Sequence, residues 1–210
     1  MRHTLAYLSY MVKRDWRKIV ICNILYFGAF AASSVFVGLY AMELHEELMK
    51  ILGAALERDP LLSTAARAYF SRRPLEAFLV TLAVNTLLGA LVTVTLSGAF
   101  FMTVPSALYR AILWGVMLPV TVEKYYIALP TLLLEGEGYV LAMVPGLNLS
   151  LAVLRPERYD AETRLRALRN ALREALTYYV LITTVLAVAA IVEVITVFSL
   201  MGYQSPQLTT

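Results

Sequence analysis

Long uncharged apolar runs alternate with short charged stretches along the chain, and this pattern predicts helices that cross a bilayer. The first run, residues 19–42, holds 24 residues without a charge, about 36 Å of helix against a hydrocarbon core of about 30 Å. Before it, residues 1–18 carry Arg2, Lys13, Arg14, Arg17 and Lys18. The run is longer than the apolar core of a cleavable signal and lacks its small-residue cleavage site, so it reads as a retained span. Gly28, Ala32 and Ser33 offer a small-residue face for close helix contact. Residues 43–76 turn polar. Within them Leu44, Leu48, Ile51, Leu52, Ala55 and Leu56 recur at helical spacing up to the breaker pair Asp59 and Pro60. A shorter helix is expected from Ser63 to Phe70, with Ser63 or Thr64 as its cap.

The next uncharged stretch, residues 77–109, is too long for one upright span. It divides into a second span over 77–103 and, after a break near Pro105, the start of a third over 107–127. Asn85, Gly89, Thr93 and Ser97 recur every four residues, which sets a polar, small-residue stripe on one α-helical face. Arg110 is expected at the inner interface, Pro119 as a kink, and Tyr125 and Tyr126 in the outer aromatic belt. Residues 130–154 form the fourth span. Pro130, Gly136, Gly138, Pro145 and Gly146 interrupt it around Glu135 and Glu137, and predict a broken or re-entrant segment. Residues 155–174 read as a basic surface helix that runs into a fifth span over 175–203.

Composition agrees with this division. Of 210 residues 60% are apolar and 16% charged, well away from the roughly 45–50% and 25% of soluble domains. The fold class is therefore all-α, a polytopic membrane helix bundle of about five spans in a single domain. One cysteine, Cys22, allows no intrachain disulfide, and His3 and His45 lack metal-ligand spacing. With the N-terminus cytoplasmic, twelve of the 18 Lys and Arg residues fall inside, as the positive-inside rule requires for a plasma-membrane protein. Six of them, Arg155, Arg158, Arg164, Arg166, Arg169 and Arg173, face anionic lipid headgroups. Since the net charge of +3 resides around membrane spans, no nucleic acid is needed to explain it.

Glu193, near the middle of the last span, and Glu135 carry the candidate chemistry. An acid at the bilayer centre costs about 2.5 kcal/mol or more, so each needs a partner. Two arrangements are open: a neutral carboxyl donating to a facing carbonyl, or a carboxylate paired with a cation such as Arg110. The sequence has no nucleophile elbow, metal pair, Ser or Cys beside His, or phosphate-binding glycine loop, which argues against an enzyme or a bound cofactor.

Asn85, Pro130 with Glu135 five residues on, and Ala189-Ala190-Ile191-Val192-Glu193-Val194-Ile195-Thr196 together resemble the stage II sporulation protein M family. The similarity covers most of spans two to five. The family pattern has His-Gly after the proline, where this chain has Thr131 and Leu132, and an Asn-Gly pair near the position of Tyr109 and Arg110. The resemblance implies a protein of five or six spans within a membrane complex; in spore formers the family acts in engulfment together with a septal peptidoglycan-remodelling machinery. It suggests a non-enzymatic scaffold or complex subunit linked to cell-envelope or membrane remodelling, partnered by itself or by other membrane proteins. The alternative is a transporter or channel component that uses Glu135 and Glu193 for proton or ion coupling.

Overall fold

The computed structural model describes residues 2–203, and among these it is helical throughout, without a strand. Apolar surroundings dictate this: with no water to pair backbone N–H and C=O groups, a helix satisfies them within one segment. Helix α1 (Arg2–Tyr40) leads into α2 (Met42–Arg58) and α3 (Pro60–Phe70). Helix α4 (Pro74–Ala83) continues without interruption into a π-helical stretch, Val84–Thr95, and a 3-10 turn, Leu96–Phe100. Then come α5 (Thr103–Met117), α6 (Tyr125–Leu154), the short 3-10 turn Pro156–Tyr159, and α7 (Arg164–Tyr203). Four helical segments are long and apolar enough to cross a membrane: α1, α4 with its extension, α6 and α7.

Helix α5 has 15 residues, about 22 Å, short for the hydrocarbon core. It runs in the same sense as α1: Thr103 lies against Gly146, while Gly115 lies against Phe30, Ser33 and Ser34. A third span was expected over 107–127 with Pro119 as a kink. Instead the helix stops at Met117, because a residue before proline is pushed out of the α region, and Leu118 has φ −127° and ψ 72°. Beyond it the chain leans on α1, where the Ser34 hydroxyl donates to the Leu118 carbonyl (2.6 Å) and the Val120 N–H to the Ser34 carbonyl (3.4 Å).

The irregular segment is not where the prolines and glycines place it. Residues 130–146, expected as a broken or re-entrant stretch, lie inside the continuous 30-residue helix α6. Neighbouring helices support prolines within a membrane helix, and among the described residues no glycine has positive φ. Here the glycines admit neighbours. A Cβ on Gly136 would meet Phe27 and Tyr26, one on Gly138 would meet Leu186, and one on Gly146 would meet Thr103.

The unusual winding falls instead on the second span. A π-helix takes more residues per turn than an α-helix, so its buried face recurs at wider spacing than four. Asn85 and Gly89 are buried as expected, but Thr93 is exposed and Ser97 only half-buried; Thr95 and Gly98 occupy the interior. Thr95 donates to the Ala142 carbonyl (3.0 Å) and accepts from Tyr179 (2.9 Å), and the Gly98 carbonyl accepts from Ser150 (2.7 Å). Gly28 and Ala32 face outward, and α1 instead packs through Ser33 and Ser34.

The amphipathic pair agrees with its expected limits, except that the second helix begins at Pro60. It ends at Phe70, just before Arg72 adopts φ 51°. The basic helix expected over 155–174 starts later, at Arg164 after the 3-10 turn, and runs into the last span as the first turns of the 40-residue α7.

At Gly98 the extended second span and α6 touch backbone to backbone, since an added Cβ would meet the Gly146 carbonyl and the Thr103 hydroxyl. Gly98→Ala should lower stability by about 1–3 kcal/mol through overpacking. Gly28→Ala, where nothing lies within 4 Å, should be neutral or slightly stabilising because alanine is the better helix former. Thermal melting of both variants in one detergent checks the contrast; equal shifts would contradict the close approach.

Candidate functional site

Glu135 is the most enclosed of the expected intramembrane acids, with 4% of its surface exposed. Its position follows from two helices meeting. Asn85 projects from the start of the π-helical stretch, and its amide donates to Glu135 Oε1 (2.6 Å). Tyr139, one turn after Glu135 on α6, donates to Asn85 Oδ1 (2.9 Å) and accepts from the Arg110 guanidinium (2.5 Å). The guanidinium also lies 4.1 Å from the centre of the Tyr139 ring, in cation–π range. Donors therefore run in one direction, from Arg110 through Tyr139 and Asn85 to the carboxyl group. Arg110 belongs to this network and not to the inner interface where it was expected. A carboxylate paired with the cation Arg110 was one of two open arrangements, and here the connection is indirect.

Glu193 approaches from α7. Its Oε1 accepts from Tyr69 of α3 (2.9 Å), whose hydroxyl also meets Thr81 of α4 (2.8 Å). Because a phenol has one proton, Thr81 donates to Tyr69 as Tyr69 donates to Glu193. Both acids line one cavity of about 600 Å³, together with Tyr69, Thr81, Asn85 and Thr131. Most of the remainder is apolar and includes Leu88, Trp114, Ile127, Leu132 and Leu200, with Met49, Asp59, Lys124 and Thr196 also on the lining. Glu135 Oε2 and Thr131 Oγ1 receive no donor from the neighbouring backbone or amide and hydroxyl side chains, and the Glu135 and Glu193 carboxyl groups face each other within hydrogen-bond reach, so that one proton can bridge them. Glu137 is half-buried and lies outside the lining.

The remaining expected residues do not join the cavity. Gly136, Gly138 and Gly146 serve helix contact, Pro145 is buried, and Pro130, Arg155, Arg158, Arg164, Arg166, Arg169 and Arg173 are all exposed. His45 Nδ1 donates to the Val116 carbonyl (3.0 Å), tying α2 to α5. Among the described residues there is no group of three metal-ligating side chains.

With this geometry in place, the comparison with known families is decisive. A model of the family described as "Stage II sporulation protein M" matches residues 21–196. The chain belongs to the stage II sporulation protein M family. No curated protein and no solved structure matches it. Glu135, Asn85 and Glu193, which carried the resemblance in the sequence, converge in this family member on a single wall of polar contacts. Thr131, standing where the family pattern has histidine, lines the same cavity.

Sequence reasoning missed Tyr69, Thr81, Tyr139 and Asp15. The i,i+4 pairs Thr81 with Asn85 and Glu135 with Tyr139 were legible as shared helix faces. Asp15 sits among basic residues and reads as one more surface charge, yet it is 3% exposed. It accepts from Lys18 (2.8 Å), Arg14 (2.9 Å) and Tyr178 of α7 (2.8 Å), and Asn148 of α6 faces both Asp15 and Lys18. Arg14 reaches on to Glu174 (2.9 Å). The cluster binds α1 to α6 and α7 at the end of the bundle away from the cavity.

Asp15→Leu should cost about 3 kcal/mol, the low end for one partner lost from a buried pair, because Arg14 and Lys18 keep about a third of their surface exposed. Thermal melting should place it well below Glu43→Gln, an exposed control with no such network. Matching melting temperatures would remove the clamp from the account.

Proposed function

We propose that the protein is a non-enzymatic component of a membrane transporter or channel, in which Glu135 and Glu193 receive a proton or cation within the cavity. One observation carries this: a single cavity of about 600 Å³ reaches both intramembrane acids. Acids at membrane depth are costly, and where they line an opening they mark ion or proton pathways by default. The family model supports an integral membrane protein and is compatible with this role. We place the chain in the plasma membrane with its N-terminus cytoplasmic. Removing Arg110 from the inner set leaves eleven basic residues inside against six outside, and the six arginines from Arg155 to Arg173 then lie at anionic lipid headgroups. In this placement Asp59 and Lys124 of the cavity lining lie on the outer side.

A second reading is a scaffold or complex subunit linked to envelope or membrane remodelling, associating with itself or with other membrane proteins. It draws on the amphipathic helix α2, which leaves Leu44 and Ile51 exposed.

Reconstituted in liposomes under a pH gradient and a membrane potential, the wild type should carry a proton or cation flux that falls at least tenfold in Glu135→Gln and Glu193→Gln. Absence of flux, with crosslinking in native membranes recovering a defined partner equally from wild type and variants, favours the scaffold. Orientation has its own check. In a Cys22→Ser background, Lys50→Cys should be labelled on intact cells by an impermeant maleimide, and Arg166→Cys only after permeabilisation; the reverse pattern overturns the placement.

A further inference from the structure

The cavity's two chemistries select among occupants. A proton alone has no use for about 600 Å³ of mostly apolar space. A metal ion such as Ca²⁺ takes six to eight oxygen ligands and Mg²⁺ an octahedral set. Here the oxygens gather at one wall and the described residues hold no group of three metal-ligating side chains. A lipid tail or other neutral hydrocarbon would suit Leu88, Trp114, Ile127 and Leu200 but would leave Thr131 Oγ1 buried and unpaired, at a cost, and Glu135 Oε2 with no donor beyond a proton shared with the facing Glu193 carboxyl. These two atoms are held in place. Glu135 is fixed through its other oxygen by Asn85, and Thr131, 8% exposed, stands one helical turn away on α6. Two of the lining's carboxyl groups, Glu135 and Glu193, face each other at membrane depth.

We infer that the cavity binds a primary alkylammonium compound, its charged head donating to Glu135 Oε2, Thr131 Oγ1 and the Glu193 carboxyl, and its apolar body lying along Trp114 and the aliphatic wall. A primary ammonium has three donors and no acceptor, which matches an acceptor-rich wall where two carboxyl groups face each other beside the unpaired Thr131 Oγ1. Its charge compensates buried acids that otherwise have only an indirect cation in Arg110. The indole of Trp114 adds a large polarisable surface, and the volume lies within the range of small-molecule sites. This inference deepens the cation-handling function and rests on the same cavity, naming its ligand class.

The chain has two tryptophans, so Trp16→Phe leaves Trp114 as a reporter on the cavity wall. With the full-length protein in nanodiscs of zwitterionic lipid, n-octylammonium should shift Trp114 emission saturably. Glu135→Gln should weaken the apparent affinity at least tenfold and Thr131→Val, which keeps the side-chain shape, about threefold. n-Octanol, with the same tail and no charge, should give no saturable shift, and Arg166→Gln should bind like the parent. Saturable binding of octanol with equal affinity would make the cavity a hydrocarbon groove and overturn the inference. So would a linear response to octylammonium that is the same in Glu135→Gln, since that is partition into lipid. Melting each variant without ligand separates lost binding from lost fold, and Thr131→Val supplies the test if Glu135→Gln does not fold. Binding is read without a gradient and flux with one. Saturable amine binding in a protein that carries no flux upholds this site and removes the transport function, whereas proton flux without amine binding does the opposite.

Discussion

Every polar group in this bundle that lies at membrane depth must find its partner within the protein, because hydrocarbon offers none. That requirement decides more of the architecture than apolar packing does, since lipid tails are as apolar as leucine and give helices no hydrophobic reason to associate. Asn85 shows how it works. One amide meets the demands of two side chains on α6, donating to Glu135 and accepting from Tyr139, and so fixes the rotation of both segments. Thr95, Ser150 and Thr103 repeat the device further along, each placing a hydroxyl on a backbone carbonyl of a neighbouring turn or helix. Where Gly98 meets Gly146, the side chains are absent and the backbones themselves make the contact.

The wide winding of residues 84–95 connects these contacts. An α-helix through the same residues would carry Asn85, Gly89, Thr93 and Ser97 on one face. In the π-helical stretch Asn85, Gly89 and Thr95 are buried, as is Gly98 in the 3-10 turn that follows, while Thr93 turns outward, its hydroxyl folding back on the Leu88 carbonyl (2.6 Å). π-helical turns occur mostly where a helix has a function to serve. Here the segment lets one continuous helix present Asn85 to Glu135 near the cavity and Gly98 to Gly146 at the opposite end, two engagements with α6 separated by 13 residues.

This division explains what the sequence made legible. Helix class, membrane residence and the approximate spans follow from uncharged length, which is a local property. Asn85, Glu135 and Glu193 stood out because polar groups amid long apolar runs are rare. Two expectations failed for one reason: proline and glycine act through context. In α6 a bundle of neighbours sustains the helix through Pro130 and Pro145, whereas Pro119, at the end of α5, finds no following helical turn and terminates it. Nothing in residues 84–95 marks a π-helix, because its preference arises from tertiary contacts rather than composition. Asp15 was hidden by its neighbours, since the same Arg14 and Lys18 that mark a membrane edge are what make burial of its carboxylate possible.

The two charged centres occupy opposite ends of α7 and are built on different principles. Around Asp15 the charges are matched directly, with Arg14, Lys18 and Glu174 in ion pairs and every Asp15 oxygen engaged; such closure suits a clamp and leaves no vacancy for a ligand. Around Glu135 and Glu193 the Arg110 guanidinium is reached through two intermediates, the two carboxyl groups face each other, and Thr131 Oγ1 beside them remains unpaired. A purely structural site would gain by completing that set, because an unsatisfied buried polar group costs more than a hydrogen bond returns. An incomplete acidic wall on an otherwise apolar cavity is thus the arrangement expected of a place where a positively charged guest enters, while the saturated cluster at the other end holds the helices that form its walls.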